Sequence, residues 1–334
     1  MITPSRLRVC LFPLLSRLLT GLLLLGFVLL PLAARAAADP GELLDAGRAD
    51  DALRLLTPQA ANNNATAFNY LGRVYFSLGD WDNAVRNCER ASQIDPGNAI
   101  FQLWLGRSYG EKANAASLLY AYPLARKTVA AFIAARTLDL QNIAIARDLA
   151  EYYSTAPAFV GGGSDKALAL ADELASAHPA DAAWVRAMVA SNQGHYQQAE
   201  REYIQAIRLD HDSARTYLDF ARYLRARKSW ERFQQTVERA IQSAQIFPAD
   251  RYDAAELLLI TNRNLPLAAQ QMRAYIQGGH TDEAAPLFRA HFLLGEILLK
   301  SGDGGQAADE YRAALALASS YRPASESLRR MGQR

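Results

Sequence analysis

"ATAFNYLGRVYFSLGDWDNAVRNCERASQIDPGN", residues 65–98, sets the fold. Phe68, Leu71, Gly72 and Tyr75 fall on one face of a helix, Gly79-Asp80 interrupts it, and Ala84, Cys88 and Ala91 share a face of a second helix that Asp95-Pro96 stops. Gly72 and Ala84 remove the side-chain bulk that would keep two antiparallel helices apart, while the leucine and aromatic positions fill the space beside them. A hairpin of this size cannot bury both of its faces alone, so the segment predicts neighbours of the same kind.

Counting outward from it finds them. Thirty-four residues beyond Leu71, Gly72 and Tyr75 stand Leu105, Gly106 and Tyr109. Leu294, Gly295, Gly302, Ala307, Tyr311 and Ala314 repeat the spacing near the end of the chain, and Gly194, Ala199, Tyr203 and Ala206 repeat its turn and second helix. Weaker units cover 214–247 and 248–278, "PGELLDAGRADDALRLLTPQ" (40–59) reads as a shortened leading pair, and "RPASESLRRM" (322–331) as a polar-faced capping helix.

Two units are stretched. After Tyr109 the pattern resumes about seven residues late, beyond "EKANAASLLYAYPL" (111–124), whose first part, "EKANAASLLY" (111–120), reads as an enlarged loop, with a second helix through Ala125, Val129, Phe132 and Ala135. In the next unit Leu149, Ala150 and Tyr153 mark the first helix, but the second-helix alanine is Ala167, five residues late. "TAPAFVGGG" (155–163) is then an enlarged turn, with Ser164 or Asp165 capping the following helix. The competing reading makes Gly161, Gly162, Gly163, Ser164, Asp165 and Lys166 an anion-binding loop; against it, no hydroxyl follows the lysine and an aspartate stands where an anion would approach.

Composition agrees with helices. Half of the 334 residues are apolar, 21% are charged, and Gly and Pro together number 33, which favours an all-α chain over turn-rich β architectures. Arg6, Arg8 and Arg17 precede the apolar run Leu18–Ala34 and its Ala-rich exit, so residues 1–38 read as a signal peptide, or as an N-terminal membrane anchor if retained. Residues 39–334 form the repeat domain. Removing the leader takes four arginines and no acids, leaving 32 basic against 34 acidic side chains, a balance that calls for no nucleic-acid partner. A single cysteine, Cys88, would remain, too few for a disulfide framework.

The pattern of residues 65–98 and its recurrences resembles the tetratricopeptide repeat. The block from "LGRSYGEKANAAS" to "GGGSDKALALADEL" is similar to a two-repeat segment of exported bacterial members. The resemblance implies a right-handed superhelical solenoid of antiparallel helix pairs whose concave groove binds extended or helical segments of other proteins. It implies no cofactor and no catalytic residue. Positions between the packing residues of each first helix then face the groove: Asn69, Arg73, Phe76, Trp104, Arg107, Arg147, Glu151, Trp184, Arg222 and Arg225. Arginines among aromatics would suit an acidic segment, since guanidinium pairs with carboxylates and stacks on rings. The carboxylate clamp of chaperone-binding members is absent, because its places hold Asn69, Arg73, Ile100, Trp104, Ala144 and Asp148.

Catalytic patterns are missing as well. The histidines, His178, His195, His211, His280 and His291, show no metal-ligand spacing, and Cys88 sits at a packing position. The expected function is a non-enzymatic scaffold of the cell envelope, periplasmic or exported. The alternative is an accessory protein that holds a small ligand or docks on a transporter component. A closed, apolar pocket beside the stretched turns would favour the alternative; an open groove with exposed Arg73, Arg107 and Arg147 would favour the scaffold.

Overall fold

The computed structural model describes residues 39–279 and 282–332; the leader segment and His280 lie outside them. Among the described residues are seventeen α-helices and one short 3₁₀ turn, Ala158–Val160. A leading pair, α1 (Pro40–Asp45) and α2 (Ala49–Ala61), precedes α3 (Ala65–Leu78) and α4 (Trp81–Ile94). The stretched pairs are α5 (Ala99–Ala115) with α6 (Leu118–Leu138), and α7 (Ile143–Thr155) with α8 (Ser164–Leu174). Then follow α9 (Pro179–Asn192) with α10 (Tyr196–Leu209), α11 (Ala214–Ala226) with α12 (Trp230–Gln242), and α13 (Pro248–Ile260) with α14 (Leu265–Gln277). The stack ends with α15 (Leu287–Lys300), α16 (Gly304–Leu317) and the closing helix α17 (Arg322–Gly332). Helices pair antiparallel, and first helices of successive pairs also pack on each other, which gives the stack an inner face made of first helices.

One turn recurs because one hydrogen-bond pattern closes it. After α3, Gly79 adopts φ 76° and donates to Phe76, while Asp80 donates to Tyr75; Gly194 and Gly302 repeat the geometry. Asp80 then accepts from the Asn83 amide and so starts α4. Lys228 and Asn262 hold the same left-handed position, with φ 56° and 52°, in the two units whose repeats read as weak. The turn survives there without its glycine, at a cost of about 1–2 kcal/mol per residue.

The small-residue positions do what the spacing predicts. A β-carbon at Gly72 would overlap Cys88 Sγ, and one at Gly106 or Gly295 would lie 2.5 Å from Phe132 or Tyr311. Gly72→Leu should therefore cost about 1–3 kcal/mol through overpacking. Asp95→Ala on the exposed turn should shift the urea midpoint far less, and equal shifts would contradict this packing. Cys88 itself is fully buried, and that burial pushes its thiol up to about 12, so it packs as an inert apolar group.

The stretched units differ from expectation in where the extra residues go. Residues 111–124 form no enlarged loop: they lengthen α5 at its end and α6 at its start, with only Ala116 and Ser117 between. Gly72 to Cys88 and Gly295 to Tyr311 each span 16 residues, whereas Gly106 to Phe132 spans 26, so the excess is ten rather than seven. In the next pair the excess is indeed a turn, though Gly163 precedes α8 and neither Ser164 nor Asp165 caps it.

Candidate functional site

Both extensions sit in neighbouring hairpins and pack on each other. Tyr122 of α6 stacks on Phe159 of the turn, with ring centroids 6.2 Å apart and planes at 11°. The Tyr152 hydroxyl lies 2.7 Å from the Ala125 carbonyl and 3.0 Å from that of Val160, and shares its one proton between them, which joins α7 to both extensions. Under this wall lies a cavity of about 760 Å³ on the inner face, lined by Trp104, Phe132, Tyr152, Arg107 and Glu151 among others. Glu283 and Arg289, from the far end of the chain, line it too.

That long-range contribution exists because the two ends of the helix stack meet. Arg73 of α3 makes a two-pronged ion pair with Glu283. The Ser319 amide donates to Asp50 at 2.9 Å, and Gly47, at φ 61°, lies against the backbone of Pro286 and Leu287. The solenoid is closed on itself at this point, where an open groove was expected.

Four of the predicted arginines, Arg73, Arg107, Arg147 and Arg222, lie on first helices and are already paired. Arg107 Nε donates to Asp148 at 2.6 Å; Arg147 bridges Asp181 (2.5 Å) and Asp219 (2.9 Å); Arg222 bridges Asp219 (3.1 Å) and Asp253 (2.5 Å). Apart from Arg222 to Asp219, which lies within α11, each bond links first helices of different pairs. The rings serve the same network, with Arg73 and Arg107 lying 5.2 and 4.7 Å from the Trp104 centroid and Arg147 lying 3.9 Å from that of Trp184. Burial pulls the Arg147 pKa down, but Asp219 and Asp181 outweigh it and the guanidinium holds its proton more firmly than usual. The expectation of an arginine track free to grip an acidic segment is corrected: the carboxylates are supplied by the chain itself.

Other positions divide. Asn69 and Trp184 are buried, so neither offers an accessible groove surface. Phe76 packs edge-on against Trp81 and Trp104 and lines the cavity. Arg225 is half-buried on α11. Glu151 is open to the cavity water, yet burial and then Asp148 and Asp219 push its carboxyl above the usual range, against Arg147 and Arg222. The glycine loop has spent its donors: Gly161, Gly162 and Gly163 donate to Ala158, Pro157 and Tyr153, and Lys166 Nζ donates back to the Gly161 carbonyl at 3.0 Å. No amide of the three is left for an anion.

Glu283, Asp181, Asp219 and Asp253 were missed from the sequence. A signal existed for one of them, since Asp181 lies 34 residues from Arg147, one repeat length. For Glu283, 210 residues from Arg73, there was none.

Helix hairpins stacked with first helices inward, and a hollow on that inner face, define a solenoid-type repeat protein. Segments 65–98, 180–213 and 257–322 match the description "Tetratricopeptide repeat", and the chain carries tetratricopeptide repeats at these places. None of the curated proteins compared matches it. Among solved structures it is similar to the yeast Tom70, at 15% identity and TM-score 0.51, over 85% of this chain and 58% of that one. A tetratricopeptide repeat protein from Parabacteroides merdae (16%, TM-score 0.39, 80% and 98% covered) and a thermophilic one from Thermus thermophilus (19%, 0.44, 55% and 95%) are also similar. At these identities the likeness concerns the fold, and the chain spans little over half of the Tom70 chain.

Proposed function

We propose that the chain is an interaction scaffold that takes a segment of a partner protein into the inner-face cavity. Proteins of this repeat class generally mediate protein–protein contacts. The observation that carries the proposal is the exposed apolar rim beside the cavity. Leu118, Leu119 and Tyr120 are 91, 80 and 68% exposed at the start of α6, and Phe159 is 70% exposed, while Ala121 and Val160 next to them line the cavity. A contiguous apolar rim of this kind is costly in water and is covered by a macromolecular partner rather than by a small solute. The volume itself also falls in the range of small-ligand pockets, about 300–1,000 Å³, so a small ligand is the second reading. From the basic, apolar and Ala-rich order of residues 1–38, we propose also that the complex forms outside the inner membrane.

A photoreactive phenylalanine analogue placed at Leu119 or Ala121 in whole cells should yield protein adducts in the envelope fraction. The same group at Arg201, exposed on α10, should not. Adducts equal at all three positions, or none, would remove the rim from the proposal. A small bound mass seen by native mass spectrometry without any protein adduct would establish the second reading.

A further inference from the structure

The charges around the cavity do not balance. Four carboxylates line it against three guanidiniums: Arg73 pairs with Glu283 and Arg107 with Asp148, while Arg289 lies against Tyr252 and Tyr321 with Glu256 beyond ion-pair distance. The other two carboxylates of the lining are Glu111 on α5 and Glu151 on α7, and neither accepts a hydrogen bond or joins an ion pair among the described residues. The walls between are aromatic, with Trp104, Phe132 and Tyr152.

Each class of occupant meets this arrangement differently. An acidic side chain would meet two unpaired carboxylates and a net negative lining, and could recruit Arg73 or Arg107 only by stripping another carboxylate of its partner. A neutral apolar group would displace water from Glu151 and give nothing back, and an unpaired charge removed from water is expensive. A cation on an aliphatic stem lays its methylenes along the rings and meets the spare carboxylate with its head. We infer that the cavity receives a lysine or arginine side chain of the partner segment, held through Glu151, with Glu111 adding to the negative field. This rests on the partner-segment reading above and reverses the acidic preference expected from the arginines.

Glu151 stands unpaired at a cost to the free protein. Burial and like charges raise its pKa above that of the unfolded chain, so ionised Glu151 opposes folding at any pH above the ordinary carboxylate range. Glu151→Gln should therefore be at least as stable as the parent at pH 7, with the difference fading as pH falls below that range.

The test is a displayed library of randomised nonapeptides panned on the full chain, on Glu151→Gln, and on Ala121→Trp, which fills the cavity from α6. Lysine or arginine should be enriched several-fold at one peptide position on the parent. On Glu151→Gln that enrichment should fall to library frequency while the apolar preference remains, and on Ala121→Trp all selection should be lost. If peptides are selected in a cavity-dependent way but acidic residues or no charge are preferred, or if the basic preference survives in Glu151→Gln, this inference fails and the segment reading stands. If nothing is selected above the Ala121→Trp background, the segment reading fails and takes the inference with it. A urea midpoint for Glu151→Gln clearly below the parent at pH 7 would show that the carboxylate is a structural partner and would likewise overturn it.

Discussion

Arg147→Met should lower the unfolding free energy by roughly 3 kcal/mol, at the lower end of the about 3–5 kcal/mol seen when one member of a buried ion pair is removed. The loss comes from what is left behind. The Asp181 and Asp219 side chains are only 7 and 11% exposed, and Arg147 ties them together from a third helix, so three pairs of the stack meet at one guanidinium. The value stays at the lower end because Arg222 remains 3.1 Å from Asp219 and Arg215 remains 3.6 Å from Asp181. Arg107→Met is the internal comparison. That pair is more open, at 27 and 23% exposure, and should cost about 1 kcal/mol or less. Urea titration of both variants decides it; similar midpoints would mean that the inner-face network contributes nothing beyond surface pairs. The same reasoning discourages testing the groove by reversing Arg73, Arg107 and Arg147 together, since lost binding would then follow from a damaged fold.

Gly47→Val should separate the ends of the stack. The residue sits at φ 61°, which costs an L-residue about 1–2 kcal/mol and a β-branched one more. Its β-carbon would also overlap the Leu287 amide nitrogen, a backbone atom that cannot swing aside as a flexible side chain can. Overpacking adds roughly 1–3 kcal/mol, and the chain can relieve it by letting α1 and α2 move away from α15. The readout is hydrogen exchange at the Ser319 amide, which the Asp50 carboxylate protects across the closure. Its exchange should accelerate at least tenfold while amides inside α9 and α11 keep their protection. Uniform acceleration would indicate global destabilisation, and no change would mean that the ends do not depend on Gly47. Because Glu283 lines the cavity, opening here should also weaken selection of peptides by that cavity.

What the sequence determined by itself is everything carried within one hairpin or between neighbours. The approach of helices at Gly72, the left-handed turn at Gly79 and the stop at Pro96 are local demands of the backbone, so spacing alone revealed the all-helical repeat. The same spacing placed Arg73, Arg107, Arg147 and Arg222 on one face. It also located both stretched units, although it took residues 111–120 for an enlarged loop. Periodicity there is masked, because a helix start exposed on all sides, as at Leu118 to Tyr120, buries no stripe that a pattern can report.

Only the tertiary structure decided the partners of those arginines and the closure of the stack. Both depend on the small rotation from each hairpin to the next, summed over the whole series, and no residue pair encodes that sum. Arg73 meets Glu283 across 210 positions and Asp50 meets Ser319 across 269, contacts that exist because the accumulated turn brings the last hairpin back to the first. The cavity inherits this origin: one wall comes from two local extensions, the other from the far end of the chain, and its unpaired carboxylates become visible only once Arg73 and Arg107 have found their partners.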